Sequence, residues 1–288
     1  MTTSLPLTCG KLRCEIRPDL GGCIAGLWWG DLPVLRSTEP RALVSARLAG
    51  SFALVPFSNR VGQATLKWAG TSHPLVQTQA GEPHAIHGVG WLRPWEVLDD
   101  SDQFALLSYR HKPDAAWPFA FDASQAFRLS DRELEMTLSI TNQSAAPAPA
   151  GLGWHPYFVK RGGSHITFQA SGRWEMGEDK LPTRREHSSG LDVDCAGLDV
   201  DHCFDGWRGV VHLRDAVLHT RVSSSLERLV VYTQPARDSV AIEPVSHVND
   251  AVNLMARHGF TAQELGLRVL QPGESMSAEM SIRVEAAG

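Results

Sequence analysis

Apolar and polar side chains alternate along much of the chain. The stretches that alternate or read as extended are residues 11–16, 103–110, 119–129, 133–141 and 275–285. In the last two, one face holds Leu134, Met136, Leu138 and Ile140, and Met276, Ala278, Met280, Ile282 and Val284. A period of two is the pattern of a strand buried on one face. The pattern therefore predicts strands, separated by turns rich in Gly, Pro, Asn and Asp.

Helical patterns are scarce. Residues 250–258 form the one fair helical stretch, with Asp250 in the position of its cap. The Ala/Pro-rich residues 145–150 read as a loop, and no linker or repeat divides the sequence. Many short strands with few helices are typical of a large antiparallel sandwich or barrel. We therefore predict an all-β fold, a large antiparallel β-sandwich, with one domain over residues 1–288.

Composition narrows the classes of function. The chain has 288 residues, 43% of them hydrophobic, which is ample for a core, and a formal net charge of −5. That charge disfavours a nucleic-acid or anionic-membrane surface, because both need clustered Lys and Arg. No apolar run is long enough to cross a bilayer, and the start lacks the pattern of a secretory signal. The five cysteines are odd in number without CxxC spacing, so we expect no disulfide framework or zinc knuckle, and a cytoplasmic location.

His155 is the first candidate for chemistry. It lies in Gly151-Leu152-Gly153-Trp154-His155-Pro156-Tyr157-Phe158, where glycines permit close approach of the backbone and aromatic residues flank the imidazole. A histidine in such an apolar run is either a hydrogen-bonded core residue or a proton donor. We interpret it as the donor, because other polar clusters along the chain could converge on it. Trp154 and Trp207 lie within polar clusters, where each ring could stack on the apolar face of a sugar.

Two polar clusters precede His155. Asn59-Arg60 follows an apolar run, where a strand should end, and Arg60 would either bind hydroxyls or carboxylates or pair with a structural acid. His84 and His87 are three residues apart, and Gly88 follows them. They could ligate a metal, or one could be structural and the other bind substrate. The metal interpretation is the weaker, because no third ligand has standard spacing.

Two more clusters follow His155. Asp201 lies beside aromatic residues and could hold a sugar hydroxyl, next to His202. Glu243 ends an apolar extended run and precedes a proline, which fixes its direction and partly desolvates it. Desolvation raises the pKa of a carboxyl group and suits it to act as a general base, although pairing with an arginine would also explain it. The nearby His247 could be structural.

Together, these clusters resemble the aldose 1-epimerase family, also called galactose mutarotases. The matching residues, in the family's order, are Asn59-Arg60, His87-Gly88, Gly153 to Phe158, Asp201-His202-Cys203-Phe204 and Glu243-Pro244 with His247. The likeness is greatest to the shorter bacterial branch, in which a run like Trp91-Leu92-Arg93-Pro94-Trp95 follows His-Gly. Trp154 stands where the galactose enzymes have Asn, so the resemblance does not specify galactose.

The resemblance implies a fold and a set of roles. The fold would be a galactose mutarotase-like β-supersandwich, with the site in an open cleft on one sheet. Glu243 would be the general base and His155 the general acid. Arg60, His87 and Asp201 would hold the sugar hydroxyls, and Asn59 would belong to the same site.

The implied reaction is the interconversion of the α and β anomers of a free aldose. It needs no cofactor and no metal, and its partner is a small sugar; we expect a monomer or homodimer. Three alternatives stay open: a hexose-6-phosphate 1-epimerase, using Arg36, Arg41 or Arg93; a non-catalytic carbohydrate-binding protein; and a cupin-type metal enzyme, using His84 and His87.

Overall fold

The computed structural model describes residues 4–287, so residues 1–3, on which the expectation of no secretory signal partly rests, and residue 288 lie outside it. In chain order the strands are β1 (Leu5–Cys9), β2 (Leu12–Arg17), β3 (Cys23–Trp29), β4 (Leu32–Pro33), β5 (Ala53–Leu54), β6 (Arg60–Val61), β7 (Thr65–Trp68), β8 (Thr71–Pro74), β9 (Ala85–Ile86), β10 (Glu96–Ser101), β11 (Phe104–His111), β12 (Phe121–Leu129), β13 (Glu133–Asn142), β14 (Ala148–Ala150), β15 (Gly153–Trp154), β16 (Tyr157–Val159), β17 (His165–Gln169), β18 (Gly172–Met176), β19 (Pro182–His187), β20 (Gly190–Asp194), β21 (Val200–Asp205), β22 (Val210–Arg214), β23 (Leu218–Ser224), β24 (Arg228–Thr233), β25 (Ser239–Val245), β26 (Arg268–Leu270) and β27 (Ser275–Ala286). The α-helices are α1 (Ala251–His258) and α2 (Ala262–Leu265).

Two large antiparallel sheets dominate the fold. One has nine strands in the order β10-β11-β12-β13-β27-β23-β22-β17-β20. The other has eight, in the order β19-β18-β21-β24-β25-β15-β5, with β16 also paired to β25. Phe168 of β17 meets Phe204 of β21 edge-on, with ring centroids 5.0 Å apart, and both rings belong to one cluster of buried apolar side chains. The sheets therefore pack face to face over a shared core, which confirms the predicted all-β sandwich.

The alternating stretches form the centre of the nine-stranded sheet. Strand β13 pairs with β27 in a register that sets Leu134 opposite Ile282 and Leu138 opposite Ala278. All four predicted inward residues of β13 are buried. In β27 the inward face is buried from Ala278 onward, whereas Met276, close to the start of the strand, is only half-buried.

Both helices are short, and along the chain they follow β25 of the eight-stranded sheet. Helix α1 occurs where it was predicted, with Asp250 at its N-cap position, but the Asp250 side chain forms no capping hydrogen bond. Asp250 has a left-handed backbone (φ 55°), and its Oδ1 accepts hydrogen bonds from the Gly62 N–H (2.8 Å) and Asn253 Nδ2 (2.7 Å). It therefore ties the helix to the loop after β6 instead of capping the first turn. Neither helix within residues 4–287 has the length and apolar composition that a bilayer span requires.

Candidate active site

A cleft of about 470 Å³ opens beside the eight-stranded sheet. It brings together six of the seven predicted site residues, which lie far apart in sequence: Asn59, Arg60, His87, His155, Asp201 and Glu243. A second concavity, of about 530 Å³, lies along the nine-stranded sheet. Its polar lining is mainly Ser and Thr with an Arg and two Glu residues, and includes no histidine, so it offers no comparable acid/base group.

Strand register places the two acids of the cleft. Glu243 lies on β25, where all seven residues are buried, and it stands opposite Val230 of β24. Val230 in turn stands opposite Cys203 of β21, and Asp201 lies two residues before Cys203 on that strand. Since side chains two apart on a strand share a face, Asp201 and Glu243 project to the same side of the sheet.

His155 reaches Glu243 because the chain on either side of it pairs with β25. Gly153 of β15 stands opposite Val245, and Tyr157 of β16 stands opposite Ala241. A side chain at Gly153 would place its Cβ 2.7 Å from the Pro244 carbonyl oxygen, so this close approach requires glycine. As a result, His155 Nε2 lies 3.3 Å from Glu243 Oε1.

Aromatic rings fix the orientation of the His155 imidazole. Tyr157 stacks on it with ring centroids 4.4 Å apart, Phe52 packs at 4.9 Å, and His87 meets it nearly perpendicularly at 5.0 Å. The Tyr157 hydroxyl also lies 3.3 Å from His155 Nε2. Tyr157 was part of the sequence motif but was given no role there, because only the stacked geometry reveals its contact with the imidazole.

Burial dominates the protonation of the His155–Glu243 pair. It raises the pKa of Glu243 well above 4.5; Asp201 adds to that shift and Arg60 opposes it. Burial also lowers the pKa of His155 well below 6.5, with further lowering by His87 and Arg36. Both groups therefore favour their neutral forms in the free protein, although a nearby carboxylate alone would have favoured the imidazolium. Transfer of one proton across their 3.3 Å separation converts the neutral pair into carboxylate and imidazolium.

Each member of the pair also has one buried polar atom without a hydrogen-bond partner in the described part of the chain. Within residues 4–287, Glu243 Oε2 and His155 Nδ1 have no hydrogen-bond partner, and neither does His87 Nδ1. Buried polar atoms are normally satisfied, so several unpaired atoms around one cleft point to a polar ligand. Burial, Arg60 and Arg47 lower the pKa of His87 to about 3, which keeps its imidazole neutral.

A strained loop pair presents Asn59, Arg60 and His87. Strand β6 pairs with β9, and the His87 N–H donates to the Asn59 carbonyl oxygen at 2.8 Å. Asn59 and His87 both have left-handed backbones, with φ of 53° and 64°. Gly88, at φ 70°, cannot carry a side chain, because a Cβ there would lie 2.2 Å from the Val55 carbonyl oxygen. Such strain is common where side chains are aimed into a site.

Arg60 combines the two interpretations drawn from its sequence. Its Nη2 and Nε donate to Glu82 Oε2 at 3.1 and 3.2 Å, and its Nη1 donates to Asn59 Oδ1 at 3.2 Å. The same guanidinium lines the cleft. Arg60 therefore pairs with Glu82 and still lies in the lining of the cleft.

Trp154 does not reach the cleft, so the expected stacking on a sugar is wrong. Its side chain is only 2% exposed and belongs to the core cluster. The reason is the alternation of extended chain: because His155 faces the cleft, its neighbour Trp154 faces the opposite way. Trp207 is also buried in the core, where its Nε1–H donates to the Val210 carbonyl oxygen at 2.9 Å.

The remaining histidines of the motifs bind the backbone. His84 accepts from the Gln63 N–H through Nδ1 (2.9 Å) and donates from Nε2 to the Asp179 carbonyl oxygen (2.8 Å). Both nitrogens are thus engaged, which leaves the cupin-type alternative without its first ligand. His247 bridges Ser58 N–H and the Val248 carbonyl oxygen in the same manner, and His202 Nδ1 lies 3.1 Å from the Trp174 carbonyl oxygen.

Comparison with known proteins places this geometry in a family. The family model for aldose 1-epimerase matches residues 7–283. The uncharacterized protein YphB of Escherichia coli K12 is 31% identical over 302 residues, covering 98% of this chain and 99% of that protein. The crystal structure of a candidate aldose 1-epimerase from Escherichia coli K12 superposes with a TM-score of 0.88 at 30% identity, over the whole of both chains.

A more distant structure shares the fold. A galactose mutarotase-like protein from Clostridium acetobutylicum superposes with a TM-score of 0.86 at 19% identity, over 98% of this chain and 95% of that one. Together with the family match over nearly the whole sequence, these similarities show that the chain belongs to the aldose 1-epimerase family.

Proposed function

We propose that the protein is an isomerase that interconverts the α and β anomers of an aldose by acid/base opening and closing of the sugar ring. Glu243 acts as the general base and His155 as the general acid. The observation that carries the proposal is the contact of 3.3 Å between His155 Nε2 and Glu243 Oε1 within a sugar-sized cleft. Family membership supports the same class of reaction.

The reaction needs one base and one acid. The Glu243 carboxylate removes the proton of the C1 hydroxyl while the His155 imidazolium protonates the ring oxygen, so the bond between C1 and the ring oxygen breaks and an aldehyde forms. Rotation about C1–C2 exposes the other face of the aldehyde. On closure, His155 recovers its proton from the C5 hydroxyl and Glu243 returns its proton to O1. Each positioned proton transfer typically contributes about 10² to 10⁴ in rate.

The other cleft residues would hold the ring in place for these transfers. Arg60 and neutral His87 offer hydrogen bonds on one side of the pair, and the Asp201 carboxylate accepts from hydroxyls on the other. Asn59 orients Arg60 through their contact of 3.2 Å. Orientation of this kind lowers the barrier by fixing the reacting atoms before the reaction starts.

A polarimetric assay of freshly dissolved α-glucose and α-galactose, with EDTA present, tests the proposal. We expect the protein to accelerate the approach to anomeric equilibrium well beyond the buffer rate. Sugar binding without acceleration would select the non-catalytic carbohydrate-binding alternative. Acceleration that is seen without EDTA and lost in its presence would instead favour a metal-dependent mechanism.

The location and assembly are further parts of the proposal. All five cysteines are free thiols, which supports a reducing compartment, and we propose the cytoplasm. A small sugar reaching an open cleft requires no second chain, so a monomer or a homodimer is compatible with the chemistry.

The pH dependence of kcat/KM should follow the proton shared by the pair. Below the lowered pKa of His155 both groups are protonated, and no base remains; above the raised pKa of Glu243 both are deprotonated, and no acid remains. We therefore expect a broad plateau in kcat/KM. Its acid limb should lie below 6.5, the ordinary pKa of histidine, and its alkaline limb should lie well above 4.5, the ordinary pKa of glutamate. The two apparent pKa values belong to the pair as a unit. A single limb centred near 4.5 would show that Glu243 titrates as an ordinary surface acid.

A further inference from the structure

Four cationic side chains line the cleft without a carboxylate partner. Arg36, Arg47, Lys180 and Arg237 all border it, and within the described part of the chain none forms an ion pair. Arg60, in contrast, is paired with Glu82. Of the arginines considered from the sequence for a phosphate group, Arg36 lines the cleft, Arg41 does not, and Arg93 pairs with Asp114 at 3.0 Å.

Arg36 is held in place by neutral groups. Its guanidinium lies 3.7 Å above the centroid of the Tyr157 ring, while Nε and Nη2 donate to the Ala49 carbonyl oxygen and Nη2 also donates to that of Arg47. Burial lowers the pKa of Arg36, and the nearby Asp238 only partly opposes that shift. A partly buried cation that has no ion pair within residues 4–287 and donates mainly to carbonyl oxygens is costly, and an anionic ligand would offset that cost.

A second arginine, Arg237 in the loop between β24 and β25, repeats the arrangement on the other side of β25. The Arg237 guanidinium lies 4.6 Å from the centroid of the Tyr232 ring. Register sets Tyr157 and Tyr232 on either side of Ala241, so the two tyrosines flank a small residue on the same face of the sheet. Each guanidinium therefore lies over a tyrosine beside Ala241, one on either side of β25. Their charges act on each other, since Arg237 contributes to the lowered pKa of Arg36.

Two acids line the cleft on the other side of Tyr232 from Ala241. Asp201 stands opposite Tyr232 on the side away from Ala241 and Tyr157, and Asp199 lies on the same side of the sheet. Glu82 is neutralised by Arg60. In this order of paired positions, Tyr157, which Arg36 covers, is farther from Asp201 than Tyr232, which Arg237 covers.

The position of Arg36 relative to His155 indicates which part of a sugar it would meet. Both groups contact the same ring, since His155 stacks on Tyr157 with ring centroids 4.4 Å apart and the Arg36 guanidinium lies 3.7 Å from the Tyr157 centroid. If His155 protonates the ring oxygen, the neighbouring ring atom C5 and its substituent C6 lie beside His155 and Tyr157. We propose that the cleft recognises an aldose carrying an anionic group on C6, a carboxylate or a phosphate, through Arg36 and Arg237. This inference rests on the proposed function for the direction of the sugar.

Calorimetric titration of the wild-type protein with glucose, glucuronate and glucose 6-phosphate tests the inference. We expect at least one charged sugar to bind about tenfold or more tightly than glucose, since charge-assisted hydrogen bonds are the stronger class. The preferred sugar distinguishes a carboxylate from a phosphate. Equal or weaker binding of both charged sugars would overturn the proposal.

Two variants and a control sharpen this test. Arg36→Gln and Arg237→Gln should each weaken binding of the preferred charged sugar about tenfold more than binding of glucose. Arg110→Gln removes an arginine whose side chain is 80% exposed on the nine-stranded sheet, and it should not discriminate between the sugars. If Arg110→Gln has the same effect as Arg36→Gln, the preference is only a response to net charge, and the proposed site is wrong.

Mutarotation of the same sugars separates this inference from the proposed function. If glucose is turned over and charged sugars are not bound in preference, the proposed anion site is wrong and the proposed isomerase activity stands. If a charged sugar binds tightly through the arginines but is not turned over, the proposed isomerase activity is wrong and the anion site stands.

Discussion

Replacing Glu243 with Gln is expected to lower kcat for mutarotation by about 10² to 10⁴, the contribution of one positioned proton transfer. The amide has nearly the shape of the carboxyl group but cannot act as a base at the pH of the assay. Glu243 is only 2% exposed, and its Oε2 has no partner among residues 4–287, so the protein should not lose stability. Polarimetry and a thermal melt measure the two effects.

Asp205→Asn is the matched control for Glu243→Gln. Asp205 is also a buried acid, on β21, but its oxygens accept hydrogen bonds from Arg185 and from Trp174 Nε1. Asp205→Asn should lower the melting temperature, because it removes the charge of a buried carboxylate that accepts hydrogen bonds from Arg185 and Trp174, while turnover per folded molecule stays unchanged. A Glu243→Gln variant with wild-type turnover would remove the proposed base.

His155→Asn is expected to have the second large effect. Loss of the acid should lower kcat by about 10² to 10⁴ and change KM much less, because protonation of the ring oxygen stabilises the transition state and not the bound sugar. Turnover at saturating and limiting sugar concentrations separates kcat from KM. A rise in KM alone would identify His155 as a binding residue.

His111→Asn controls for the loss of a buried aromatic histidine. His111 resembles His155 in its surroundings, since it stacks on Phe121 at 4.9 Å and its Nδ1 lies 3.0 Å from the Tyr109 hydroxyl. It lies on β11 of the nine-stranded sheet, outside the cleft. Its replacement should reduce stability without reducing kcat, which would attribute the effect at position 155 to chemistry.

The sequence predicted the fold well because the strands alternate so clearly. Strand β13 buries every second side chain, and no other local structure has that period. In the structure Glu243 lies within the fully buried strand β25, and His155 lies between two short strands that pair with β25. The polar clusters alone left alternatives open, and their resemblance to the aldose 1-epimerase family indicated which side chains converge.

What the sequence could not give depends on tertiary contacts. Trp154 was expected to contact a ligand because it adjoins His155. In an extended chain, however, neighbouring side chains point to opposite sides, so Trp154 points into the core when His155 points into the cleft. Arg36 and Arg237 belong to no motif, and only packing on Tyr157 and Tyr232 brings them to the cleft. The neutral state of the Glu243–His155 pair depends on how deeply the sheet buries it, and a local pattern cannot specify that depth.

The central claim is that Glu243 and His155 act as a unit, and the double variant Glu243→Gln/His155→Asn tests it most directly. If proton donation and removal are coupled, kcat of the double variant should be close to that of the slower single variant, because either replacement already disables the pair. Melting curves of all four proteins verify that each is folded. If the two losses in kcat instead multiply, the residues act independently, and the account of a shared acid/base pair is wrong.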